Sequence, residues 1–221
     1  MALIEIIHFS AKAGDTIQKA TNALEGVKNP QHFTIGTQIQ NNNTIQITTE
    51  WSSVQDLATL QATPEHNSFL NTVRNSCGTS DSIFHVPLTR SAFGTDGPAT
   101  APVVEFVQSY FPTSRATAEF QKRIEEDFVR FDEIYREGVK GELGWAFGWV
   151  IEEQEHGGIE REKAKCLLVM RGWESMDCFE ESVKHDKYKE AIPILFAWGA
   201  PWKMWHVDQK DINASRSSHD S

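Results

Sequence analysis

Short apolar, β-branched runs alternate along the chain with stretches whose apolar positions recur every three or four residues. The first run, "IEIIHF" (Ile4 to Phe9), resembles a later one, "VEFVQS" (Val104 to Ser109). Each reads as a buried strand carrying one Glu, Glu5 and Glu105. A helical pattern follows each run. The first spans roughly Asp15, an expected N-cap, to Val27, with Ile17, Ala20, Leu24 and Val27 on one face. The second spans about Ser114 to Arg136, with Phe120, Ile124, Phe128, Phe131 and Tyr135 aligned. Two strands come next in each half: "HFTIGTQIQ" and "TIQITTEW" around an Asn41-Asn42-Asn43 turn, then "GWAFGWVIEE" and "KAKCLLVMRGW" around Gly157-Gly158. Trp51 and Trp173 end the second of these strands. Behind each lies a helical stretch that reaches His-x-x-aromatic: His66 with Phe69, and His185 with Tyr188. Short strands close the halves, "SIFHVPL" (Ser82 to Leu88) with His85 and "WKMWHVD" (Trp202 to Asp208) with His206.

The spacings point to an internal repeat. Trp51 and Trp173 stand 122 residues apart, and His85 and His206 121. His66 and His185 stand 119 apart, which implies a three-residue gap between the helices. The order β-α-β-β-α-β, read twice, predicts an α+β protein of two tandem ferredoxin-like modules. Each module would leave one apolar sheet face bare, so the two are expected to pack sheet to sheet as a fused dimeric α/β barrel, an intramolecular pseudo-dimer. The expected boundaries are 1–90 for the first module, 91–101 for a linker rich in Gly, Pro, Ala and Thr, 102–208 for the second module and 209–221 for a polar, disordered tail.

The 221 residues are 39 % hydrophobic, enough for a sizeable core. A net charge of −10 and a pI of about 5.3 argue against a nucleic-acid partner. No apolar run approaches a membrane span, and "MALIEIIHFS" reads as a strand, not a signal peptide. Three cysteines without metal-type spacing fit a reduced, cytoplasmic setting. Seven Trp and thirteen Phe imply either a ring-rich core or ring-lined cavities.

The sequence has no GxGxxG, Walker loop, GxSxG, HExxH or Cys/His metal pattern, so no nucleotide, metal or other cofactor is expected. Acid–base chemistry by histidine in an apolar cavity is the mechanism left. His185 and His66 are the candidate bases, since imidazole titrates near neutrality, and Tyr188 is a hydrogen-bond donor. Trp51, Trp173, Phe69, His85 and His206 are candidate substrate contacts, although each also suits core or interface packing. Trp145, Phe147 and Trp149 share one strand face and read as the seam between halves or the wall of a flat ligand's pocket. His8 lies on a central strand, where it needs a partner if buried. Glu5 and Glu105 read as buried partners joining the halves, or as carboxylates orienting a histidine. The acidic positions Glu125, Glu126, Asp132 and Glu133 read as a solvated helix face. The ring-rich second half is the expected site if one pocket is active.

Element order, strand-end Trp and His-x-x-Phe/Tyr helix together resemble the dimeric α/β-barrel superfamily, in particular its antibiotic-biosynthesis-monooxygenase-like (ABM) and stress-responsive A/B-barrel groups. The resemblance covers residues 3 to about 208. "TPEHNSF" (Thr63 to Phe69) is similar to a segment of the olivetolic acid cyclase type, where the corresponding histidine is a catalytic base; His66 takes that place. The tyrosine that accompanies that base six residues earlier is Leu60 here and Phe179 in the second half. The resemblance implies a cofactor-independent tailoring enzyme of secondary metabolism acting on an aromatic or polyketide-like molecule, as cyclase, isomerase, dehydratase or decarboxylase. The same family also implies two alternatives: a cofactor-free monooxygenase of a phenol, or a non-catalytic ligand-binding or stress-response barrel. A further homodimer is left open. A haem role is disfavoured, since His8 and Gln108 occupy the first-strand positions where the haem degraders carry Asn.

Overall fold

The computed structural model describes residues 2–10, 13–24, 27, 30, 32–51 and 57–211. The first half contains β1 (Ala2–Ser10), α1 (Ala13–Leu24), β2 (His32–Gln38), β3 (Thr44–Trp51), α2 (Leu57–Gln61), α3 (Pro64–Cys77) and β4 (Ser82–Leu88). The second contains β5 (Val103–Pro112), α4 (Ala118–Tyr135), β6 (Glu142–Trp149), β7 (Ala164–Trp173), α5 (Met176–Lys184), α6 (Asp186–Phe196) and β8 (Trp202–Asp211). The helix after each Trp comes in two pieces rather than one. Thr63 caps α3, where Pro64 occupies the first turn without needing an N–H partner, and His185 caps α6. α1 begins at Ala13, so Asp15 lies inside its first turn and is not the N-cap expected. The tail from residue 212 lies outside the described residues, but β8 continues to Asp211, so residues 209–211 are strand and not tail.

The eight strands form one antiparallel sheet in the order β4-β1-β3-β2-β8-β5-β7-β6. The strands of both halves belong to one hydrogen-bonded, nearly closed sheet, not to two stacked ones. β2 and β8 pair from Thr34↔Asp211 to Gln38↔Val207. The free edges, β4 and β6, nearly close the barrel: Thr89 N–H donates to Phe147 O and Ile151 N–H to His85 O, each at 2.9 Å. A glycine stands at each seam. A Cβ on Gly36 would meet Asp208 O at 2.3 Å, and one on Gly148 would meet Pro87 O at 2.2 Å. Gly36→Ala and Gly148→Ala are therefore expected to force the seams apart, each costing about 1–3 kcal/mol as overpacking does. Urea unfolding midpoints check this, and an unchanged midpoint in both variants would show that the seams are loose.

Strand alternation divides the apolar residues into an interior and two outer cores. Ile4, Ile6, Phe106, Met170 and Trp205 fill the barrel, with Phe106 stacked on Trp205 at 5.3 Å. Ala92, Ala99 and Ala101 join this cluster, and Ser91 Oγ–H and Ala92 N–H donate to Glu50, so the 91–101 connection is packed in place. Leu3, Ile7 and Phe9 pack outward against α1 and α3. Phe111, Leu167 and Trp173 pack outward with residues of α4 and α6. His8 points into the barrel, where its Nε2–H and the Trp205 Nε1–H both reach Gln46 Oε1, at 2.9 and 2.8 Å. Burial lowers the His8 pKa and so favours the neutral ring. The three cysteines are free. No helix among the described residues is long and apolar enough to cross a membrane.

Candidate active site

A cavity of about 210 Å³ lies between sheet and helices in the second half. Val107 and Val169 form its floor, Phe128 and Phe131 of α4 one wall, and Ile192 and Leu195 of α6 the other. An apolar cavity of about 150 Å³ accommodates benzene, so this one suits one or two rings. Phe196 and Trp202 also line it and are 64 % and 55 % exposed, which marks its mouth.

The polar end is built from Glu105, Arg171, Tyr135 and Tyr188. Glu105 follows the outward alternation of β5 and is surrounded by protein, with its residual surface facing the cavity. Its Oε2 accepts the Trp173 Nε1–H at 2.9 Å. Arg171 Nη2 donates to Asp132 Oδ1 at 2.6 Å, and Nη1 lies 2.8 Å from Glu142 Oε2. One buried guanidinium thus serves three carboxylates. Desolvation raises the Glu105 pKa against the attraction of Arg171 and the Trp173 hydrogen bond, and Glu142 adds to the rise. Desolvation thus favours the protonated form of Glu105. Tyr135 Oη lies 2.5 Å from Ser182 Oγ, and its ring meets Tyr188 edge-on at 5.8 Å. Burial raises the pKa of both phenols, so both remain donors at neutral pH.

A second polar cluster occupies the matching place in the first half. His66 Nε2 and His85 Nε2 lie 2.8 and 2.9 Å from Glu5 Oε1, and all three residues are buried. His85 Nδ1 lies 2.6 Å from Glu152 Oε1. Held between two carboxylates, His85 has its pKa raised to about 9 despite burial, and its hydrogen bonds lower those of Glu5 and Glu152.

The structure separates residues that the sequence had grouped. His185 is exposed; it caps α6 by accepting the Lys187 N–H at Nδ1 and does not reach the cavity. The helix caps explain why. Thr63 and His185 each cap the helix that follows, 122 residues apart like the two Trp; aligned on these caps, His66 corresponds to Tyr188 rather than His185, without a three-residue gap. Tyr188 does line the cavity. Trp173 holds Glu105, whereas Trp51 packs edge-on against His66 and Phe69. Phe69 is a core residue, fully buried against Phe33. His206 bonds Gln40, packs at 4.2 Å on Phe179, and is pushed down to about 4 by desolvation, so it is neutral. Trp145, Phe147 and Trp149 do not line the cavity; their rings form the seat of α4, while the Phe147 backbone meets Thr89 at the β4–β6 seam and Arg90 lies 4.5 Å over the Trp145 ring. Phe128 meets the first two rings, and Trp149 Nε1–H donates to Glu125. His8 lies inside the barrel, on the opposite face of the sheet. Asp132 is buried with Arg171 and is not part of a solvated face.

Arg171 and Tyr135 were absent from the site expected on sequence. The available signal was Arg171, a charge directly after the apolar run "CLLVM".

No family model and no curated protein matches this chain. Solved structures share its fold. An anthrone oxidase-like protein has a TM-score of 0.58 at 13 % identity, over 95 % of this chain and 91 % of that one. A monooxygenase candidate from Lactobacillus acidophilus NCFM has 0.56 at 9 %, over 94 % and 93 %. A haem-binding protein from Thermus thermophilus has 0.54 at 10 %, over 98 % and 93 %. These likenesses place the chain in the α+β fold of ferredoxin-like barrels.

Proposed function

We propose that the protein is an enzyme acting on a one- or two-ring phenolic or enolisable small molecule, bound in the second-half cavity, with Glu105 as general acid and base. The observation that carries this reading is Glu105 itself: a half-buried carboxyl, raised in pKa by desolvation, at the polar end of an apolar, ring-lined cavity. Glu105 takes the substrate proton and returns it to another carbon or oxygen. Tyr188, which faces the same cavity, donates a hydrogen bond to the oxygen that gains charge. Such proton transfer fits isomerisation, cyclisation, dehydration or decarboxylation. The catalytic carboxyl replaces the histidine base expected from sequence. The test is turnover of hydroxynaphthalene and enolisable ketone probes, followed by product analysis. Turnover that persists in Glu105→Gln would refute the assignment.

A second reading adds oxygen. A phenol deprotonated by Glu105 in an apolar cavity is an electron-rich anion able to react with O₂, and proteins of this fold include one called anthrone oxidase-like. Oxygen uptake with an electron-rich phenol separates it from the first.

Because Glu105 holds its proton more tightly in the folded chain than in the unfolded one, its effect on stability follows in sign. The contribution is fully present below pH 4.5 and is lost as pH rises through the raised folded value. Arg171, Glu142, Tyr135 and Tyr188 are the titratable groups around it. Glu105→Gln is expected to gain on the wild type in thermal midpoint as pH rises above 4.5. A constant difference across the acid and neutral range would contradict the raised pKa.

The two halves are further proposed to be copies of one module. Element order, strand order and the pairs Trp51/Trp173, Glu5/Glu105 and His85/His206 support this.

A further inference from the structure

Glu5, His66 and His85 come from β1, α3 and β4 and converge on one buried point. Glu5 Oε1, His66 Nε2 and His85 Nε2 lie within 4.8 Å of one another. The hydrogen bonding is poor economy for a core polar cluster. Both imidazoles crowd onto one carboxylate oxygen, while Glu5 Oε2 is buried with no partner among the described residues. On the outer side, Glu152 grips His85 twice, through Nδ1 at 2.6 Å and the backbone N–H at 2.9 Å. A carboxylate on the far ring nitrogen fixes the near nitrogen toward a common centre, as behind metal-bound histidines.

We propose that Glu5, His66 and His85 bind one divalent transition ion of the zinc class. Two imidazoles and a carboxylate, without thiolate, are a donor set for such ions. The donors now stand 2.8 and 2.9 Å apart. Tetrahedral zinc spaces its ligands about 3.3 Å apart, so each Glu5–histidine distance need open by only a few tenths of an ångström, while the two Nε2 atoms start no more than 4.8 Å apart. Glu5 Oε2 then completes the set. Each ring binds as a neutral imidazole through Nε2 with its proton on Nδ1, so an Nε2 proton is lost to solvent only where the ring was doubly protonated. The 2+ ion balances Glu5 and Glu152, leaving the buried cluster neutral. The ligands are sealed from solvent, so the ion is structural. The spacing hid this site: His66 and His85 are 61 and 80 residues from Glu5. It is independent of the second-half cavity.

The test strips the full-length protein with a chelator, reloads it with Zn²⁺ or Co²⁺, desalts it, and measures metal content and thermal unfolding. The expected result is one ion per chain, visible Co²⁺ bands of low coordination number, and a midpoint raised by the ion. His66→Ala and His85→Ala should retain none, and His185→Ala, at an exposed cap, should retain one. Glu152→Gln, at a half-exposed position, should lower affinity about 10- to 100-fold with the fold and cavity turnover intact. Failure of the reloaded wild type to retain an ion would overturn the proposal. So would equal retention in the two histidine variants. Should those variants not fold, unchanged affinity in Glu152→Gln would overturn it.

Discussion

Glu105→Gln is expected to lower kcat by about 10²- to 10⁴-fold, the span of a general acid–base group, with a folded chain and little change in ligand affinity. The amide is nearly isosteric and can still accept the Trp173 Nε1–H, but it cannot carry a proton back and forth. His185→Ala should leave kcat unchanged, because that ring caps α6 on the surface. Tyr188→Phe should fall between them, about tenfold lower, if its hydroxyl supports the developing oxyanion. In the wild type, the rising limb of kcat/KM should sit above 4.5. A limb at the ordinary carboxylate value would mean that another group moves the proton.

Arg171→Met is expected to give the largest loss of stability. The substitution removes the guanidinium shared by Asp132, Glu142 and Glu105 and leaves buried Asp132 with only the exposed Arg136, at 3.6 Å. Breaking a buried pair from one side costs about 3–5 kcal/mol, because the remaining charge is uncompensated. For a chain of this size that is a drop in thermal midpoint on the order of 10 °C. The loss should shrink at low pH, where the stranded carboxylates take up protons. Residual activity should need higher pH, since Glu105 loses the attraction that restrains its pKa. A variant as stable as the wild type would show that the cluster contributes nothing.

These two residues also mark how far the sequence could be read. Strands were legible where a buried period-2 face meets clear turn residues: "SIFHVPL" is β4 from end to end. The order of elements followed from the same pattern. The single sheet did not, because β2–β8 pairing depends on two seams with room only for glycine, and no local pattern records what lies across a seam. Glu105 stood out as a charge on an apolar strand. Its partners Arg171 and Asp132 come from β7 and α4, and Asp132 was hidden in an acidic run in which Glu126 and Glu133 face outward. The pairing of His66 with His185 failed for a physical reason. Helix position is set by the cap, and counting from Thr63 and His185 puts Tyr188, not His185, at the cavity.

The most direct measurement is a crystal structure of the protein saturated with a two-ring phenol such as a naphthol. The account predicts the rings between β5, β7 and α6, entered past Phe196 and Trp202, with the hydroxyl hydrogen-bonded to Glu105. Ligand bound in the first half or only at the surface, with the cavity empty at saturation, would contradict it.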